Sequence, residues 1–209
     1  LYYAVEPEHG KKRFFDKMES AIDKIKIQFP DALCIGISDG AKDLWKFLKK
    51  HTSEQILDYY HASEYLSEAS HGIMPKDEKG RKKWLDDAYS SLKHDSDYPA
   101  AVISEMEEAS KEKLKSADKE KLKSAITYFK NNKSRMQYTE NLKRKLPIGS
   151  GVIEAACKTI VKSRLCRTGM KWKSKGVKIV LSLRAMIKSS CKWNLFWDKI
   201  NNKGVPIVV

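Results

Sequence analysis

Apolar positions change their spacing several times along the chain, and each change marks an element. Residues 1–5 (LYYAV) form a short apolar and aromatic run that predicts a strand, with a turn at His9-Gly10. From 14 to 29 the apolar side chains fall at Phe14, Phe15, Met18, Ala21, Ile22, Ile25 and Phe29, the stripe of an amphipathic helix that Pro30-Asp31 stops. Residues 32–37 (ALCIGI) are nearly all apolar, few, and flanked by turn residues. That pattern predicts a strand buried on both faces of a helix-covered parallel sheet. Ser38-Asp39-Gly40 ends it. Leu44, Trp45, Phe47 and Leu48 predict a second helix over 41–50; a further strand is expected over 55–59 and a third helix over 61–70. The first 70 residues therefore read β-α-β-α-β-α, an α/β layered core.

Residues 76–145 are polar, charged and helix-prone, and contain the heptapeptide KEKLKSA twice, at 111–117 and 119–125. Two copies do not make a solenoid. They fit a Lys/Glu-rich helical hairpin whose second helix Ser116 or Asp118 would cap. Pro147-Ile148-Gly149-Ser150-Gly151 breaks the chain. A helix over 152–165 follows, with Val152, Ile153, Ala156, Cys157, Ile160, Val161 and Leu165 on its apolar side, then a turn at 169–172 and a basic amphipathic helix over 176–189. Trp193 opens an aromatic cluster reaching 200, and the last residues look frayed or strand-like. The expected organisation is an α/β part (1–70), a helical insertion (71–146) and C-terminal helices (147–209).

Charge narrows the function. The 209 residues carry 41 Lys or Arg against 27 Asp or Glu, a net charge of +14 that asks for a polyanionic partner, nucleic acid before anionic membrane. No run of about 18 apolar residues exists to span a bilayer, and the start lacks a signal-peptide layout. The chain does not open on Met, which points to a fragment. Cys34, Cys157, Cys166 and Cys191 form no CxxC pair and read as reduced intracellular thiols, mostly core filler; the five histidines are too scattered for a zinc site. From Ala155 to the end there are 13 Lys or Arg and one acid, Asp198. An ordinary solvated face mixes signs, so this tail is expected to lie along phosphates.

Candidate chemistry starts with Asp39, at the C-terminal end of an expected buried strand, where open α/β sheets gather ligands; a strand-ending Asp-Gly also serves as a plain turn. Glu154 opens a helix among Val152, Ile153, Ala155 and Ala156. The helix dipole favours a carboxylate there, yet a lone acid at the head of the most basic part of the chain is unusual. Converging, the two acids would suit Mg²⁺ or Mn²⁺, and two such ions about 4 Å apart can activate a nucleophile and stabilise the leaving oxygen of a phosphodiester. His61 is either a helix-start residue with satisfied hydrogen bonds or a group that contacts a phosphate or the attacking water. Asp58 and Glu64 beside it read as surface acids.

ISDGAKDLWKFL, ILDYYHASEYL and, above all, LPIGSGVIEAACKTIVKSRLCRTGMKWKSKGVKIVLSLRAMIKSSCKWNLFW resemble bacterial insertion-sequence transposases of the DDE superfamily, the Kra-type group related to Mutator-like transposases. The resemblance implies a ribonuclease-H-like catalytic core with a helical insertion before the last acid. It also implies a two-metal mechanism (Mg²⁺ or Mn²⁺) that cuts DNA and joins it to a target. Asp39 matches the family's second catalytic Asp, Glu154 its Glu, and His61 a motif residue. The first catalytic Asp of the pattern has no counterpart here: Asp16, Asp23 and Asp31 sit in or after a helix. That strand and its Asp are expected upstream of Leu1, which would leave the chain inactive or nearly so alone.

Lys158, Lys162, Arg164 and Arg167 follow Glu154 at mostly helical spacing, and Lys171 and Lys173 flank Trp172. This face is expected along DNA next to the cut site, with Trp172 either packed on the core or stacked on an unpaired base. The reading that results is a transposase catalytic segment, in a bacterial cytoplasm on the nucleoid, acting on transposon ends and target DNA without a membrane partner, and homo-oligomeric when full length and DNA-bound. The alternatives are a hydrolysing ribonuclease-H-like nuclease or resolvase, and a domesticated non-catalytic DNA-binding protein.

Overall fold

A computed structural model describes residues 2–4 and 10–203. Leu1 and Val5 of the expected first strand, His9 of the expected turn, and the frayed end at 204–209 lie outside the described residues. Tyr2, Tyr3 and Ala4 are not in a strand, and Gly10 already belongs to a helix. The protein is mostly helical with a small parallel sheet, an α/β mixture, and divides into two compact units: residues 33–150, and residues 1–32 with 151–209.

In the first unit, β1 (Ile35–Ser38) and β2 (Glu54–Leu57) pair in parallel, with Ile35 opposite Glu54 and Ser38 opposite Leu57. The crossover between them is α2 (Lys42–His51), which buries Trp45, Phe47, Leu48 and His51. The expectation that β1 is buried on both faces needs correction. Gly36 and Ser38 are buried, whereas Ile35 and Ile37 on the alternate face are half-buried. Helix α2 covers the first face so closely that a Cβ at Gly36 would sit 2.9 Å from Leu48 Cδ2.

Five helices continue the unit: α3 (Tyr59–Ile73), α4 (Glu78–His94), α5 (Tyr98–Ala109), α6 (Ser116–Asn132) and, after a 3₁₀ turn (Lys133–Arg135), α7 (Tyr138–Lys143). Leu57, Leu66, Leu92, Val102, Met106, Leu122, Phe129 and Tyr138 form their fully buried core. The twin heptapeptides part company here. The second copy lies within α6, where Leu122 and Ala125 are buried and Leu122 packs against Gly72 of α3. Most of the first copy is loop ahead of α6, and its Leu114 is only half-buried. Packing, not propensity, decides which copy is helical. Ser116 and Asp118 do not cap α6 as expected: its N-cap is Lys115, without a side-chain hydrogen bond.

Asp58 is the joint of this unit, and not the surface acid it resembles in sequence. It is fully buried. Its N–H donates to Ser38 O (2.8 Å), extending the β1–β2 ladder. Its carboxylate caps α3 by accepting the Tyr60 N–H (2.8 Å), and it accepts the Ser150 N–H (3.0 Å) and the Ser150 hydroxyl. The Tyr59 N–H donates to Ile148 O (2.9 Å), and Gly149 passes so close to the Tyr60 ring that a Cβ there would meet it at 2.8 Å. Three stretches thus meet at one residue, β1 through its backbone N–H and the α3 start and Ser150 through its carboxylate, and Asp39 and His61 follow directly on Ser38 and Tyr60.

The second unit holds α1 (Gly10–Gln28), α8 (Gly151–Ala156), a π-helical segment (Cys157–Lys162), α9 (Ser163–Leu165), α10 (Ser174–Lys188) and α11 (Ser190–Asn202). A π turn disturbs the regular carbonyl pairing of a helix. Arg184 of α10 supplies donors there: its Nε bonds Ile160 O (2.9 Å) and its Nη2 reaches Thr159 O and Ser163 Oγ (2.9 Å). Of the apolar positions expected to seat the 152–165 helix, Ile160 is buried, while Val152 and Ile153 are exposed. Phe14, Met18, Ile153, Cys157, Ile160 and Leu181 instead border an apolar cavity of about 550 Å³. Cys157 and Cys166 are exposed and Cys34 is half-buried, so these three are not core filler; the Cys191 side chain lies outside the described residues. Among the described residues no helix is long and apolar enough to cross a membrane.

Replacing Asp58 by Ala removes the α3 cap and strands three donors, so urea unfolding should show the 33–150 unit destabilised by about 3 kcal/mol. Asp95→Ala, which removes only an exposed turn acceptor for the Asp97 N–H, should cost less than about 1 kcal/mol.

Candidate active site

Parallel strands present their C-terminal ends as a common mouth, and the first residue beyond β1 is Asp39. The chain can turn there because Gly40 adopts φ +104°, and a side chain at Gly40 would also strike Tyr128, 2.9 Å from Cε2. The Tyr128 hydroxyl donates to Asp39 O (2.8 Å) and fixes the turn from the α6 side. Asp39 itself is exposed. Its Oδ1 accepts the Ala41 N–H (3.0 Å) and the Ser38 hydroxyl (3.2 Å), the geometry of a local turn, while Oδ2 accepts no hydrogen bond among the described residues. The turn reading of Asp39 accounts for one carboxylate oxygen; the other is left open to solvent or a ligand.

Asp39 lines a cleft of about 360 Å³ with His61, Glu64, Tyr65, Glu68 and Ser124. Four of these come from one face of α3 at positions i, i+3, i+4 and i+7. His61 Nδ1 lies 2.9 Å from Glu64 Oε2, an exposed pair. The hydrogen bond to Glu64 raises the His61 pKa above its ordinary 6.5; partial burial opposes this, and the charges of Glu64, Asp58 and Asp39 add to the rise. The structure thus brings Asp39 and His61 to one place, and adds Glu64 and Glu68. Glu64 is a surface acid as expected, but one that faces this cleft. Glu68 had a signal in the sequence, its helical spacing from His61 and Glu64.

Glu154 lies in the first turn of α8, exposed, in the other compact unit. Lys158 and Lys162 sit on the π segment, Arg164 on α9, and Arg167, Lys171, Trp172 and Lys173 in the loop before α10; all are exposed. Arg167 Nε donates to Ser163 O at 2.7 Å. Trp172 is 36% exposed, with Gly176 beneath its ring edge. Among the described residues no three His, Cys, Asp or Glu side chains converge as a closed metal cage. The donors of the Asp39 cleft are carboxylate oxygens, the chemistry that suits Mg²⁺, an ion that keeps several waters and is commonly held through one or two carboxylates.

The fold and cleft define an α/β protein with an acidic mouth at the end of a parallel strand and a cationic C-terminal surface. Residues 37–198 match the Uncharacterised protein family (UPF0236), and the chain belongs to that family. No curated protein and no solved structure matches it.

A raised folded-state pKa means that the His61–Glu64 interaction contributes its full stability below pH 6.5 and loses it as pH rises through the higher folded value. Histidine NMR titration should place His61 above 6.5, and Glu64→Gln should return it toward that value. An unchanged titration in the variant would show that Glu64 is not the cause.

Proposed function

We propose that this chain is a catalytic segment of a DNA transposase, cutting DNA and joining it to a target by metal-dependent DDE chemistry on a ribonuclease-H-like core of which β1-α2-β2 forms part. The observation that carries the reading is Asp39: exposed at the mouth of a parallel strand, with an uncommitted carboxylate oxygen, in a cleft it shares with His61. Asp39 and Glu154 would hold Mg²⁺ or Mn²⁺, which supplies charge stabilisation at the reacting phosphate and a more acidic nucleophile. His61, made more basic by Glu64, presents a cation to a phosphate oxygen. Lys158, Lys162, Arg164, Arg167, Lys171 and Lys173 give a surface that positions DNA without reading its sequence, and Trp172 offers an aromatic edge to an unpaired base. The partners on this reading are transposon ends and target DNA, handled by a homo-oligomer in the bacterial cytoplasm.

The test is a strand-transfer assay on the full gene product, with a labelled DNA end bearing a 3′-OH, a plasmid target and Mn²⁺. Joined product is expected, falling to background in both Asp39→Asn and Glu154→Gln. Cleavage without joining would replace the transposase by a hydrolysing nuclease. DNA retention with neither reaction, unaffected by Asp39→Asn, would leave a non-catalytic DNA-binding protein.

A further inference from the structure

Beside the acidic cleft lies a second one of opposite character. It is about 700 Å³, runs between α2 and α6, and is lined by Lys42, Lys46, Lys123 and Arg135 together with Tyr65, Tyr128 and the polar side chains of Ser124, Thr127 and Asn131. No carboxylate lines it. Its cations come from both walls. Lys42 and Lys46 lie one turn apart on α2, and Lys123, Thr127 and Asn131 follow one another at four-residue spacing along α6.

The walls are held together. Buried Trp45 of α2 donates its Nε1–H to Asn132 Oδ1 of α6 (3.1 Å), and Asn132 Nδ2 donates to Tyr128 O (2.9 Å). The Arg135 guanidinium lies 4.5 Å from the centre of the Trp45 ring and donates from Nε to Gln55 Oε1 (3.2 Å), so this cation is positioned in advance. The Tyr65 and Tyr128 rings stack at 3.8 Å, 13° from parallel. Tyr65 and Ser124 line both clefts, so the basic channel and the acidic mouth meet at that stack.

We infer that the α2–α6 cleft binds the phosphodiester backbone of a single nucleic-acid strand and leads it toward the Asp39 mouth. The inference deepens the proposed function, since that reading supplies the reason for a strand to arrive there. Four cations without an acid favour an anion. The Ser124 hydroxyl and the Asn131 amide between them provide donors for phosphate oxygens. A cleft of about 700 Å³ between two helices is of a size for one strand rather than for a duplex. The cationic tail read from the sequence is a separate surface. This channel takes the strand at the reacting end.

Fluorescence anisotropy with labelled oligothymidylate, without divalent metal, tests it. Lys46→Glu/Lys123→Glu should weaken binding by about tenfold at low salt and lower the salt slope by about 1.4, as expected for two lost single-strand phosphate contacts. Both lysines are exposed, and unchanged circular dichroism would confirm folding. Lys79→Glu/Lys82→Glu on α4 makes the same change in net charge away from the channel and should bind like the parent. Equal weakening in the two double variants, or none in the channel variant, overturns the inference, as does a duplex that binds more tightly and is equally sensitive to Lys46→Glu/Lys123→Glu. Binding that depends on the channel in a protein that never joins DNA keeps this site and removes the transposase reading. Joining with channel-independent binding does the reverse.

Discussion

One carboxylate, withdrawn from water and surrounded by donors, organises the 33–150 unit. No cation is among the hydrogen-bond partners of the Asp58 carboxylate; two N–H groups and a hydroxyl satisfy it instead. A buried anion is tolerable only when its lone pairs are matched in this way. Its neighbours in the chain inherit its rigidity. Ser38, bonded to the Asp58 N–H, places Asp39 at the sheet mouth, and Tyr60 leads directly into His61. At its far end the same carboxylate grips Ser150, the last residue before the helix that carries Glu154.

The two clefts of that unit give it an electrical polarity that net charge conceals. Asp39, Glu64 and Glu68 gather on one side of the Tyr65–Tyr128 stack; Lys42, Lys46, Lys123 and Arg135 gather on the other. Within a few side chains the surface passes from negative to positive. Under the proposed function the two signs are complementary, because a phosphodiester about to be cut needs its backbone held beside the ions that act on it.

Much of the helical framework was legible because its stripes are long and regular. The α1 stripe from Phe14 onward and the Leu44–Leu48 stripe of α2 both announce themselves. Short elements were less so. Apolar density alone cannot reveal that Gly36, and not its isoleucine neighbours, lies under α2. Identical heptapeptides carry identical propensity, and burial of Leu122 and Ala125 distinguishes the helical copy. Asp39 and His61 were visible as a strand-end acid and a helix-start histidine, and the fold sets them in one cleft. Asp58 was misread because a buried acid and a surface acid look alike until their hydrogen-bond partners are known, and Ser150 is far off in the chain. Arg184 was hidden for the same reason: its task at the π segment exists only once Thr159 and Ile160 are folded.

Metal at the strand mouth is the central claim, and anomalous diffraction from crystals grown with Mn²⁺ tests it most directly. A manganese peak is expected at coordination distance from an Asp39 carboxylate oxygen, about 2.1 Å by the geometry of Mg²⁺, and should vanish in Asp39→Asn crystals. Manganese found only on other carboxylates, with Asp39 bare at saturating metal, would contradict it.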